Sequence, residues 1–290
     1  MNQKNRSWST HLFDGLNLAI LLVVSAVMII PFIYIILISF ATEQEVLSKS
    51  FLIFPTKFSL EGYRYIFSTP ILLRSLAVTI GVTVIGTLVN LLLTVLMAYP
   101  LARKDLYGRR PVMLMVIFTM LFNAGIVPTF LIVKELHLTN TYWALIIPSA
   151  ISAFNMIIIK NFFQQLPDGL EESAKIDGCN DLGILFRIVI PLSLPALATF
   201  SLFYAVTHWN TFLSAILYIN DSKKWPIQVL LRQIVILSEK GLSDMNEAPP
   251  PPSKIINMAV IVFSTVPILS IYPFLQKHFA KGVLLGSVKG

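Results

Sequence analysis

Six stretches of this chain contain no Asp, Glu, Lys or Arg: 15–40, 75–99, 112–133, 142–159, 196–219 and 255–275. A helix needs roughly 20 predominantly apolar residues to cross the hydrocarbon of a bilayer. Helices buried in soluble cores rarely run so long without a charge. Inside lipid only structures that satisfy their own backbone can span, which means helices or closed barrels. The stretches therefore predict an all-α, polytopic membrane protein with six transmembrane helices. The fourth is the shortest and can extend to 163, with Lys160 snorkelling toward the interface. Composition agrees: 56% of residues are hydrophobic and 13% charged, against about a quarter charged in soluble domains. This excludes a disordered chain, a disulfide scaffold and almost any soluble enzyme. One cysteine, Cys179, forms no internal disulfide.

The first stretch follows Lys4 and Arg6, as a signal peptide would. Its 26 residues exceed an h-region of about 7–15, so it reads as an uncleaved span. The chain is read as a single transmembrane domain over 1–290. Six spans put both termini on one side. The short loop with Arg103, Lys104, Arg109 and Arg110 favours the cytoplasm for that side, because short basic loops obey the positive-inside rule best. The basic balance, net charge +7, suits an anionic membrane surface and does not call for nucleic acid. Pro249–Pro252 reads as a stiff spacer.

Polar residues within the spans include Asn17, Asn90, Asn123, Asn155, His208, Asn210 and Asn257. A lone Asn most simply ties two helices together. The run His208-Trp209-Asn210 is different. Consecutive residues point about 100° apart on a helix, so the three cannot share one neighbour. Cavity lining and packing are both open for them, as for Asn123 and Asn155. No chain of intramembrane carboxylates suggests ion coupling. Glycine is never followed by lysine, so no P-loop occurs; nor does H-E-x-x-H, C-x-x-C or G-x-S-x-G. Neither a catalytic residue nor a metal site is expected. Energy for vectorial work would have to come from elsewhere.

The segment 164–195 reads QQLPDGLEESAKIDGCNDLGILFRIVIPLSLP. It predicts a short helix, a break and a second short helix. Asp168 with Glu171 has capping-box character. Gly178 after Asp177 marks a stop where positive φ is cheap only for glycine. Asp181 can cap the next turn, and Pro191 and Pro195 end the second helix. A turn would have sufficed between two spans; a capped elbow of about 30 residues is unusual.

This segment resembles the EAA signature of bacterial ABC importer permeases: E-A-A, three residues, G, nine residues, I-x-L-P. Here Glu172-Ser173-Ala174 is followed by Lys175–Asp177, Gly178, nine residues, then Ile188-Val189-Ile190-Pro191. Ser173 and Ile190 depart from the pattern by small steric changes. The tail from Gly282 to Gly290 resembles the second permease subunit of maltose-type sugar importers, as does Trp209-Asn210. The stretch Tyr272-Pro273-Phe274-Leu275-Gln276-Lys277 is most similar to permeases for oligosaccharides and polysaccharide fragments.

The resemblance implies a type I importer permease in a bacterial cell membrane, with a cytoplasmic elbow. It implies a second homologous permease, two ATP-binding subunits and an extracytoplasmic sugar-binding protein as partners. ATP and Mg would belong to the ATP-binding subunits, with no cofactor and no enzymatic activity on this chain. Glu172, Ser173, Ala174, Asp177, Gly178, Ile188 and Pro191 would couple to the ATPase. Gly286, Lys289 and Gly290 would form a tail contact, and the polar span residues would line the pathway. A self-contained secondary carrier and a membrane-embedded enzyme or scaffold remain the rival readings of the residues alone.

Overall fold

The computed structural model describes residues 8–49, 52–122, 124–240 and 253–287. Every regular element among them is helical. In chain order these are α1 (Trp8–Ser39), α2 (Glu43–Ser48), α3 (Glu61–Ser68), α4 (Pro70–Ala102), α5 (Arg109–Leu121), α6 (Ile126–Glu135) and α7 (Trp143–Ile146). There follow α8 (Ala153–Phe163), α9 (Asp168–Ile176), α10 (Asp181–Ile184), α11 (Ile190–Leu192), α12 (Leu194–Trp209), α13 (Leu213–Tyr218), α14 (Ile227–Lys240) and α15 (Lys254–Ser287). The chain divides into two compact units, 1–69 with 233–263 and 70–232 with 264–290.

In the first unit, Ile38, Ala41 and Leu52 form a small core. The Ser39 and Tyr63 hydroxyls pair at 2.8 Å. The Glu45 carboxylate accepts from the Thr56 hydroxyl and amide at 2.7 and 2.9 Å. Those bonds favour the charged form and hold the carboxyl down to about 2.

The second unit is built on α4, whose neighbours are α8 and α12. Without a hydrophobic drive between helices in lipid, close approach depends on small residues. Gly86 supplies it. A Cβ there would lie 2.5 Å from Nε2 of His208 on α12, and that ring is buried.

Among the described residues three helices are long and apolar enough to cross a membrane unbroken: Leu12–Ser39, Pro70–Ala102 and Lys254–Ile271. Three bent pairs, each read as one span, raise the number to six. Two of these pairs, and a separate break after Trp209, correct three of the continuous helices expected from sequence. The expected 112–133 span breaks before Gly125, whose φ of 87° with ψ of −179° is open essentially to glycine alone. In the expected 142–163 span, the segments Trp143–Ser149 and Ala153–Phe163 meet at 56°. Pro148 lies in the turn that ends the first, and the Ser152 hydroxyl caps the second. The expected 196–219 span ends at Trp209 and resumes at Leu213. Around that break the Thr207, Asn210 and Thr211 side chains bond back to the carbonyls of Phe203, Val206 and Thr207, in competition with the helical ladder. The second span is longer than expected and begins at Pro70.

Gly86→Val tests the α4–α12 contact. Valine adds helix propensity over glycine worth at most about 1 kcal/mol. Its branched side chain must displace a ring with no free space, at a cost of about 1–3 kcal/mol. The variant should be net destabilised, read as a lower unfolding temperature of purified protein in detergent. Unchanged stability would contradict this packing.

Candidate functional site: the capped elbow and its seat

The elbow is two helical pieces joined by a glycine turn, as its sequence predicts. The first, α9, ends in a Schellman motif. The Cys179 amide donates to the Ala174 carbonyl at 2.9 Å, and the Gly178 amide to the Lys175 carbonyl at 3.0 Å. Gly178 has φ of 80°, a left-handed value that a β-branched residue adopts only under strain. Two capping expectations are corrected. Pro167, not Asp168, is the N-cap of α9, with no side-chain cap bond; Asp168 falls one position inside the helix. Asn180, not Asp181, caps α10, its side-chain oxygen accepting from the Gly183 amide at 2.7 Å. The second helix runs from α10 through a π-helical stretch, Leu185–Val189, into α11, and ends at Leu192, between the two prolines as expected. Pro191 lies just after the π-helical stretch, and Pro195 occupies a first-turn position of α12, where a missing N–H costs nothing. The chain turns sharply at Ser193 between them, by 85°.

Packing explains which elbow residues face which way. Ala174 is buried in one core with Tyr99 of α4, Phe163 of α8, Ile184, Leu185 and Val189 of the elbow, and Phe200 of α12. A small residue at 174 allows α9 to lie close against that core. Glu172, Ser173, Asp177 and Pro191 are exposed, and Ile188 is partly buried. Glu172 borders a cleft of about 250 Å³ with Arg103, Glu171 and Lys175.

Two polar contacts, found only in the structure, fasten the elbow to the end of α4. The Gln164 side-chain amide donates to the Ala102 carbonyl at 3.0 Å. The Arg103 guanidinium donates to Asp181 and, through Nε and Nη2, to both Asp105 oxygens at 3.1 and 2.9 Å. Arg103 thereby holds the Asp105 carboxyl below the usual carboxylate range. Arg103 stood out in sequence as part of a basic loop; its partner, 78 positions away, has no local signal.

The polar span residues do not converge. His208 is buried against Gly86. Trp209 is buried, and its indole N–H donates to the Ser264 carbonyl at 3.2 Å. Asn155 is buried in the first turn of α8, while Asn210 is exposed. Asn123, Lys289 and Gly290 lie outside the described residues, as does Pro249–Pro252; Gly286 lies in α15. No group of three or more His, Cys, Asp or Glu that could hold a metal occurs among the described residues.

Residues 91–285 match the model of a family described as binding-protein-dependent transport system inner membrane component. The chain is 63% identical over 282 residues to the polygalacturonan/rhamnogalacturonan transport system permease protein YtcP of Bacillus subtilis, covering 96% of this chain and 99% of that one. It is 29% identical over 272 residues to the arabinooligosaccharides transport system permease protein AraQ of Halalkalibacterium halodurans, covering 92% and 93% of the two chains. A chain in the crystal structure of a bacterial ABC transporter involved in import of the acidic polysaccharide alginate superposes with a TM-score of 0.87. It shares 30% identity, with 96% of this chain and 100% of that chain covered.

Gly178→Val is expected to break the Schellman turn and free α9 from its core while leaving the spans inserted. Proteolysis of membrane vesicles should then cut within 168–181 faster than in the parent. Equal cutting rates would show that the turn does not need glycine.

Proposed function

The chain belongs to the binding-protein-dependent transport system inner membrane components, and from that premise we propose how this ABC sugar-importer permease works. Its cargo is a carbohydrate of the oligosaccharide or polysaccharide-fragment class, in keeping with the substrates that the names of its relatives carry. It pairs with a second homologous permease in the cell membrane to enclose the pathway, with both termini and the elbow in the cytoplasm. Two ATP-binding subunits dock below and hold the ATP and Mg; this chain contributes no catalytic group. An extracytoplasmic sugar-binding protein delivers cargo from the other side.

The observation that carries this reading is the elbow. It is capped at its breaks, seated on α4, α8 and α12 through one core, and exposes Glu172 beside a cleft. Such a body transmits displacement without deforming. Closure of the ATPase dimer would pull α9, and the helices sharing its core would follow as a rigid group. Glu172 makes a charge-assisted bond to a basic or amide group of the ATPase, strengthened because docking excludes water. Ser173, Asp177, Ile188 and Pro191 complete the docking face. Ala174 and Gly178 give it shape. Gly286, Lys289 and Gly290 form a second contact with the ATPase. Of the pathway candidates, Asn210 is the exposed one of the run 208–210 and is the one we assign to the pathway; His208, Trp209 and Asn155 are buried in packing, and Asn123 stays a candidate.

Charge reversal tests this. In proteoliposomes with the partner subunits, Glu172→Lys should lower sugar-stimulated ATP hydrolysis and uptake together, at least tenfold, with membrane insertion intact. Glu171→Lys, about 100° around the helix and half-buried, should do less. Normal transport by Glu172→Lys, or greater sensitivity at Glu171, refutes the assignment. Uptake that persists without ATP would establish a self-contained carrier instead.

A further inference from the structure

A larger cavity, about 1160 Å³, opens at the start of α5. Lys104, Arg109, Arg110 and Lys160 line it, with Asp105 as its acid. Both Asp105 oxygens already accept from Arg103, so this one acid is shared with a further cation. Lys160 is the unusual member. It lies at the end of the apolar fourth span, is 8% exposed, and its ammonium makes no hydrogen bond or ion pair among the described residues. An ammonium so placed is costly without a counter-charge. The backbone adds to the demand. The 13-residue α5 starts after Gly108, at φ 80°, with no side-chain cap bond and no acid in its first turn. Of its first amides, that of Arg109 donates to the Leu106 carbonyl at 3.4 Å and Pro111 has none, which leaves that of Arg110 for an anion, while Arg109 and Arg110 sit at the dipole end that disfavours cations. Lys160, Arg109 and Arg110 thus converge on one opening, where an anion stabilises them.

The far wall has the opposite character. Met113, Leu114 and Ile117 line it. The exposed apolar face continues along α5 through Phe118 and Leu121, in a segment read as membrane-spanning. Tyr107 stands fully exposed at the polar end, where aromatic side chains mark a membrane interface. A free anion has no use for the apolar wall, and an acidic protein surface would leave it unfilled. An amphiphile fits both.

We propose that this cavity binds an anionic phospholipid, its headgroup phosphate held by Lys160, Arg109 and the backbone amide of Arg110, and its acyl chain laid along Leu114, Ile117 and Phe118. The lipid would neutralise the ammonium and fill the space between α5 and the end of α8. Because the 103–105 turn also holds the elbow through Asp181, lipid occupancy and elbow position are adjacent properties of one turn.

The test is native mass spectrometry of the purified full chain, with whatever subunits co-purify, titrated separately with phosphatidylglycerol, phosphatidylcholine and inorganic phosphate. Phosphatidylglycerol should be retained over phosphatidylcholine, and millimolar phosphate should compete poorly. Lys160→Met and Arg109→Gln should each lower phosphatidylglycerol occupancy about fivefold, from the usual contribution of one cation near an anionic headgroup. Arg110→Ala, at an exposed position, gives a smaller loss and serves if the buried variant does not assemble. Equal retention of the two lipids, or undiminished phosphatidylglycerol binding in Arg109→Gln and Arg110→Ala, overturns the proposal. So does tight binding of phosphate alone, which would make this a free-anion site. Loss of a co-purifying subunit with lipid binding unchanged would assign the cluster to a protein contact and equally refute it.

Discussion

A helix broken inside a bilayer frees carbonyls and amides that water cannot reach, and each left unpaired costs several kcal/mol. In this chain the fourth span is broken between Ser149 and Ala153, and neighbouring helices repair it. The Asn90 side chain on α4 donates to the Ser149 carbonyl at 3.2 Å. The Tyr204 hydroxyl on α12 receives the Ser152 amide at 3.3 Å and pairs with the Thr94 hydroxyl at 2.7 Å. Polar residues that look out of place in an apolar sequence thus make the bend affordable. They also fix which helices must surround it. Asn90 and Thr94 lie one turn apart on the same face of α4, continuing a row that begins at Ser75, Thr79, Thr83 and Thr87. Thr79 serves likewise, accepting the Ile227 amide at 2.8 Å where α14 begins.

The elbow inherits its rigidity from that arrangement. Its core residues reach α4, α8 and α12 at once, and those helices are already tied by Asn90, Tyr204 and the Gly86–His208 contact. A force on α9 therefore meets a pre-assembled group. The Arg103 bonds to Asp105 and Asp181 add a hydrogen-bonded link at the exposed edge. Exposed ion pairs contribute only about 0–1 kcal/mol; with both carboxylates largely solvent-exposed, the link fixes orientation more than it stabilises. The buried apolar contacts carry the load.

Where local chemistry decides, the sequence was legible. Charge-free runs announce membrane helices, and Asp177-Gly178 announces a turn that the left-handed glycine confirms. Legibility fails where two local signals compete or where the partner is distant. Asp181 and Asn180 are both good caps; the backbone selects Asn180, whose φ of −79° and ψ of 165° are the extended values an N-cap adopts, while Asp181 is already helical. The breaks near Gly125 and Asn210 are hidden in uniformly apolar stretches, since hydropathy does not register a glycine torsion or a hydroxyl bonded back to its own helix. Arg103 with Asp181, and Gln164 with Ala102, are pairs that only the fold creates.

The run His208-Trp209-Asn210 shows how far residue chemistry alone can go. Three polar groups 100° apart cannot serve one purpose, and the fold divides them. His208 fills the notch at Gly86, Trp209 reaches the Ser264 carbonyl, and Asn210 is left exposed at the point where α12 stops. Irregular backbone at membrane depth is tolerated only where protein covers it or water reaches it. The exposed stretch after Trp209 therefore requires one of these, a second subunit or a hydrated path, and the proposed pairing with a homologous permease supplies both. Arg232 lies over the Phe212 ring at 4.3 Å on the same stretch, so a cation and an amide flank the break. The guanidinium, and the donor and acceptor capacity that the Asn210 amide keeps beyond its bond to the Val206 carbonyl, are groups that hydrogen-bond hydroxyl-rich or acidic cargo. That chemistry suits the pathway role proposed for Asn210, while the packed interior of the bundle serves structure.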